Sequence, residues 1–200
     1  MTSSPVDLFS EPTSYTDAVL LVEGRKMHVN KANLSFYSEF FNTMFNSNFA
    51  EKTMPEIKIK KVKYEDFALL LGMIHREKPT SPPLADHKKT EKLLELADRF
   101  LMSNVTHLVE NYLLPRPLSG RQVPFLADKF IFLADKFRLE RLLNACIDAL
   151  KCLAQIDDIV DCPEYKTLRE DTKLKLSEKH KILRDIALAR GPSRLRCYAD

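Results

Sequence analysis

The sequence predicts an α+β protein that opens with a few short strands and continues as helices to its end. Three observations carry this. Short apolar or alternating runs, Ala18–Val22, Lys26–Val29 and Glu56–Lys60, all fall before residue 61. From Tyr64 onward, apolar residues recur at helical spacing. Glycine is scarce, at 4 residues, and tryptophan is absent, which disfavours Gly-rich barrels, propellers and collagen-like chains. Hydrophobic residues at 44% and charged residues at 30% are ordinary globular usage, enough to build a core and unlike a disordered chain.

Residues 1–14 carry Pro5, Pro12 and several Ser and Thr, and are expected to form a flexible arm. Ala18-Val-Leu-Leu-Val22 reads as a strand buried on both faces, turning at Glu23-Gly24 into the alternating Lys26-Met-His-Val29. Asn30–Asn46 is dense in aromatics. Leu34, Phe41, Met44 and Phe45 make a helical stripe, with Ser38 as a cap dividing two short helices. In Glu56-Ile-Lys-Ile-Lys60 the alternation turns Ile57 and Ile59 inward. Lys58, Lys60, Lys61 and Lys63 read as a solvated face rather than a nucleic-acid patch, because Glu56, Glu65 and Asp66 lie alongside. Tyr64–His75 is a helix with Phe67, Leu70, Leu71 and Ile74 on one side, followed by a loop through Pro79, Pro82 and Pro83. Helices over 90–101 and 104–114 come next, and Pro115 and Pro117 end the second. Val123–Leu153 is helical with a break near Arg138, and Pro163 interrupts. Thr167-Leu-Arg-Glu170 has the pattern of a capping box for a last helix that ends before Gly191-Pro192.

Two repeats stand out. Leu96-Ala-Asp-Arg-Phe100 is echoed by Leu133-Ala-Asp-Lys-Phe137, which predicts two helix–turn–helix units of similar build. Phe-Leu-Ala-Asp-Lys-Phe occurs at Phe125–Phe130 and again at Phe132–Phe137. A seven-residue insertion advances a helix by almost two turns with about 20° of drift, so the duplication is expected to lengthen one helix and keep its apolar face.

The net charge of +3 sits in the last twenty residues; the first 180 carry 26 basic and 26 acidic side chains. That balance is not a nucleic-acid-binding footprint. The four cysteines, Cys146, Cys152, Cys162 and Cys197, contain no C-x-x-C pair, and Met1–Ser14 has no basic-then-apolar signal pattern. Reduced thiols and a soluble cytoplasmic or nuclear protein are therefore expected. No apolar run approaches membrane-spanning length. The five histidines are scattered, without the close helical pair of a zinc site, and no metal or cofactor is expected. No phosphate loop, dinucleotide fingerprint or nucleophile elbow is present, so no enzymatic activity is expected.

Several motifs then fall in one order. They are Asp17-Ala-Val-Leu-Leu-Val22, Val29-Asn-Lys31, Leu34-x3-Ser38-x2-Phe41-x2-Met44-Phe45, Ile57-x-Ile59, Phe67-x2-Leu70-Leu71 and Leu93-Leu-Glu-Leu-Ala-Asp98. This series resembles the BTB/POZ domain over residues 15–115, and looks most like the nematode BTB and MATH–BTB proteins, without a MATH domain. The resemblance implies short helices packed on a small three-stranded sheet, usually dimeric, and a helical extension over 116–190; the charge count makes 191–200 a basic tail. It also implies an adaptor for the cullin-3 scaffold of ubiquitin ligases. In adaptor members an apolar–any–acidic motif follows the helix ending in Met-Phe, and Phe49-Ala50-Glu51 holds that place. Phe100, Leu101 and Met102 match a second region near the cullin surface; simple helix packing is the alternative. Asp17 and Lys31 match the charged pair at the dimer pocket, while Asn30 stands where the family commonly has His. The family's short strand after the helix ending near Ile74 is replaced by His75-Arg-Glu-Lys-Pro79 and a longer Pro-rich loop.

The function expected is a dimeric protein-interaction adaptor that presents Phe49, Glu51, Phe100 and Met102 to cullin-3. The alternative is a homotypic or transcription-associated scaffold that binds no cullin. No nucleic-acid or membrane partner is expected, and the substrate protein is not legible.

Overall fold

A computed structural model describes residues 7–46, 56–75, 79–82, 86–114 and 127–190. The chain divides into two compact units, one through Tyr112 and one from Leu113.

In the first unit, β1 (Ala18–Val22) and β2 (Arg25–Val29) form an antiparallel hairpin, pairing from Ala18 with Val29 to Val22 with Arg25. Its two central residues both take left-handed backbone, Glu23 at φ 49° and Gly24 at φ 78°, which matches the twist of the strands. β3 (Glu56–Ile59) runs parallel to β1, giving the order β2-β1-β3. Leu20, Val22, Met27, Val29, Ile57 and Ile59 all lie on the buried face. The outer face corrects the expectation that β1 is buried on both sides. There Val19 and Leu21 are half-buried, flanked in register by His28 and Glu56 and by Lys26 and Lys58.

The rest of the unit is helical: α1 (Lys31–Tyr37), α2 (Glu39–Asn46), α3 (Tyr64–Met73), α4 (His87–Arg99) and α5 (Ser103–Leu113). Helix α4 starts three residues before the expected Thr90, because Asp86 Oδ1 accepts from Lys89 N at 3.1 Å and caps it. Phe41, Phe67 and Phe100 are fully buried, and the rings of Phe41 and Phe100 stack at 5.6 Å and 8°. Ser38 caps α2 as expected: its Oγ accepts from Phe41 N at 3.1 Å. It also donates to Phe100 O at 2.6 Å, tying the α1–α2 junction to the end of α4.

The second unit holds α6 (Ala127–Lys136), α7 (Glu140–Ala149), α8 (Leu153–Asp161), a 3-10 turn at Pro163–Thr167, and α9 (Glu170–Arg190). From Ala127 the duplicated hexapeptides run on through one continuous helix; Phe125 and Leu126 lie outside the described residues. The Leu-Ala-Asp repeat is also a repeat of backbone geometry. Met102 N donates to Ala97 O at 2.8 Å and Leu101 N to Asp98 O at 3.0 Å; Leu139 N donates to Ala134 O at 2.8 Å and Arg138 N to Asp135 O at 3.2 Å. Both sets are the helix-ending motif in which one residue turns left-handed. That residue is Leu101 at φ 51° in α4 and Arg138 at φ 54° in α6.

One expectation is corrected here. Thr167 sits in the 3-10 turn and donates to Glu164 O at 2.7 Å instead of capping α9. The start of α9 is held from a distance by buried Asp135, whose Oδ2 accepts from Arg169 N at 3.1 Å and whose Oδ1 accepts from Arg169 Nε at 3.0 Å and from Thr172 Oγ1. Among the cysteines, Cys146 is buried on α7, as a small core residue would be.

Leu101→Gly and Arg138→Gly should each raise stability by about 0.5–1 kcal/mol in urea melts, since glycine removes the left-handed strain and both side chains are exposed. Gly72→Ala should cost about 1–3 kcal/mol. An added Cβ there would lie 2.7 Å from Thr80 Oγ1, and Thr80→Ala in the same chain should recover most of the loss.

Candidate functional site

The arm, β2 and α1 enclose a groove of about 690 Å³ in the first unit, whose walls include Phe9, Tyr15, His28, Asn30, Phe36 and Ile74. Its geometry follows from the start of α1. Asn30 caps that helix, accepting from Asn33 N at 2.8 Å, and its amide donates to Tyr15 O at 2.6 Å, so one side chain fixes both helix and arm. Asn33 Nδ2 donates to Ile74 O at 3.3 Å and ties α1 to the end of α3. Phe9, in a 3-10 turn at Asp7–Phe9, packs edge-on against His75 at 5.8 Å and closes one wall.

Asp17 and Lys31 meet, but through the backbone. Asp17 Oδ1 accepts from Lys31 N at 2.7 Å, while the Lys31 ammonium lies 5.7 Å over the Phe45 ring. The carboxylate therefore serves as a second cap at the entry to α1, not as the anion of a side-chain ion pair.

The rim carries the feature that the sequence reading left unassigned. Phe36 is 77% exposed and Tyr15 is 65% exposed, with Phe36 edge-on to Tyr37 at 4.9 Å. The signal was present: Phe36 lies two residues beyond buried Leu34, about 200° around the helix and away from its inward stripe. Aromatic rings are enriched among the anchors of protein interfaces, where a partner dries them.

Phe49 and Glu51 lie outside the described residues, in the connection between α2 and β3. Phe100 and Met102 follow the helix-packing alternative: they are 1% and 0% exposed, and Phe100 packs against Phe40, Phe41 and Phe67. The left-handed turn at Leu101 sends both neighbours inward and leaves Leu101 itself 53% exposed.

Among the described residues no group of three His, Cys, Asp or Glu side chains is placed to hold a metal, and no helix is long and apolar enough to cross a membrane. The Cys162 thiol donates to Glu164, a hydrogen bond that pushes the thiol above its ordinary pKa and the carboxylate below its own. A thiol held protonated in this way is a poor nucleophile.

A family profile described as BTB/POZ domain matches residues 6–116. The chain is 37% identical over 175 residues to "BTB and MATH domain-containing protein 36" of Caenorhabditis elegans, covering 87% of this chain and 52% of that protein. It is 34% identical over 183 residues to "BTB/POZ domain-containing protein Y57A10B.3" of the same organism, covering 91% and 52%. The chain thus spans about half the length of these curated relatives. The BTB domain of human gigaxonin aligns with 55% of this chain and 85% of its own, at 18% identity and a TM-score of 0.41.

Phe100→Ala should lower stability by about 3–5 kcal/mol, as loss of a fully buried ring does, whereas Leu101→Ala should change it by no more than about 0.5 kcal/mol. Asn30→Ala should cost about 1 kcal/mol through the lost cap. Chemical denaturation of the three variants checks all of these.

Proposed function

The chain belongs to the BTB/POZ domain family, and on that footing we propose that it is a dimeric adaptor which brings a bound protein to the cullin-3 scaffold of ubiquitin ligases. BTB domains are protein-interaction and self-association modules and are generally non-enzymatic. The observation that carries the proposal is Phe36, an aromatic ring 77% exposed on the rim of the groove. In a two-fold dimer the same patch meets itself, so each Phe36 is dried by the partner's groove while the partner's Phe36 fills its own. Asp17, Lys31 and Asn30 then act by holding α1 and the arm in the shape that the partner meets.

For cullin-3 the support is the place of Phe49-Ala50-Glu51 between α2 and β3, where the family's apolar–any–acidic motif occurs. Phe49 would enter an apolar pocket of the scaffold, and Glu51 would accept hydrogen bonds at its edge. Such an adaptor acts by proximity and performs no chemistry of its own. It would work in the cytoplasm or nucleus, on a substrate held by another part of the assembly. The burial of Phe100 and Met102 favours a second reading, a self-associating scaffold without cullin binding, because it removes two contacts from the cullin surface.

Light scattering should give a dimer mass for the protein and a monomer mass for Phe36→Glu; a dimer that survives the charge would exclude the groove as the interface. Calorimetry against an amino-terminal cullin-3 fragment should show binding that weakens at least about 10-fold in the Phe49→Ala, Glu51→Ala double variant. Absence of binding by the unaltered protein would leave the scaffold reading.

A further inference from the structure

The corner between β3 and α3 gathers positive charge that little around it answers. Lys58, Lys60, Lys61 and Lys63 are all exposed, and none forms an ion pair among the described residues. Their sequence neighbours suggested otherwise, but the structure turns those carboxylates to other work. Glu56 pairs with Lys26 at 2.6 Å and Glu65 with Arg25 at 3.0 Å. Glu23 accepts from Tyr64 N at 2.8 Å and caps α3. Asp66 and Glu23 line a hollow of about 400 Å³ with Lys61, Lys63 and Lys92, but neither forms an ion pair with these lysines among the described residues, and Lys92 itself pairs with Glu95 at 3.1 Å. Arg99 adds a further cation. It donates to Lys60 O at 2.8 Å and to Lys61 O at 3.1 Å, fixing the left-handed turn at Lys61, φ 58°.

These lysines flank an open sheet edge. β3 pairs with β1 on one side, and no strand among the described residues pairs with the other. An unpaired edge offers backbone N–H and C=O groups to an extended chain. Lysine on such an edge repels a second lysine-bearing edge, which guards against stacking of identical copies. The same charge attracts a strand of opposite sign.

We propose that the β3 edge, with Lys58, Lys60, Lys61 and Lys63, is a docking surface for an extended acidic segment of a partner protein. The segment lies along β3, and its carboxylates take up the lysine charges that Glu23, Glu56 and Glu65 leave unanswered. A protein segment fits better than a nucleic acid. The rings of this corner, Tyr64 and Phe67, are 1% and 0% exposed and offer no face on which a base could stack.

The test is fluorescence anisotropy of a short labelled peptide alternating Glu with Thr and Val, titrated with the whole chain. Binding should weaken steeply as salt is raised. It should fall at least about 10-fold when the four lysines are replaced together (K58Q, K60Q, K61Q, K63Q), while the Tm holds because all four side chains are exposed. On binding, the backbone amides of Ile57–Lys60 should exchange more slowly with deuterium. Three results would overturn the proposal: no binding of the peptide at low salt, equal binding by the four-lysine variant, or tighter binding of a single-stranded oligonucleotide of equal charge. The same variant titrated with the cullin-3 fragment should bind as the unaltered protein does, which keeps this surface separate from Phe49 and Glu51.

Discussion

One buried hydroxyl holds the helices of the first unit in their arrangement. Ser38 is wholly out of water, and it satisfies a helix start and a helix end at once by accepting from Phe41 N and donating to Phe100 O. Either backbone group, left unpaired at this depth, would cost on the order of 1–3 kcal/mol. The bond sets the spacing between α2 and α4, and that spacing is what lets Phe41 and Phe100 stack with Phe67 beside them. The sheet face of Leu20, Val22, Met27, Val29, Ile57 and Ile59 is buried in the same unit.

The outward surface follows from what this core consumes. Leu34, Phe41 and Phe45 are drawn in, and Phe36, on the far side of a seven-residue helix, is left out. The groove beside it exists because Asn30 and Asp17 spend their polar atoms on backbone amides and hold the arm off the helix at a fixed angle. The shape of the groove is thus a by-product of capping, and Asn30 both sets that shape and forms part of the wall.

Much of this was legible because period and punctuation agreed. The hairpin was readable from Glu23-Gly24 between two apolar runs, and the α1–α2 break from a serine before Glu39. What was not legible depended on distance in sequence. The start of α9 looked local, as Thr167 to Glu170, but is governed by Asp135 more than thirty residues earlier. Phe100 and Met102 looked like surface in a resemblance between families, and only the left-handed turn at Leu101 shows them pointing inward. The acidic neighbours of the β3 lysines looked like their counter-ions, and three-dimensional pairing assigned Glu56 and Glu65 elsewhere.

The twinned corners after α4 and α6 also bear on how such a chain can change. Each is specified within about six residues by hydrogen bonds that end on its own helix, so it travels with the helix that carries it. A seven-residue addition inside that helix moves the corner outward by about 10 Å and swings it by only about 20°. The segment that follows is then carried farther while still departing along nearly the same bearing. Duplicating a heptad in α6 is therefore a way to alter reach without altering aim.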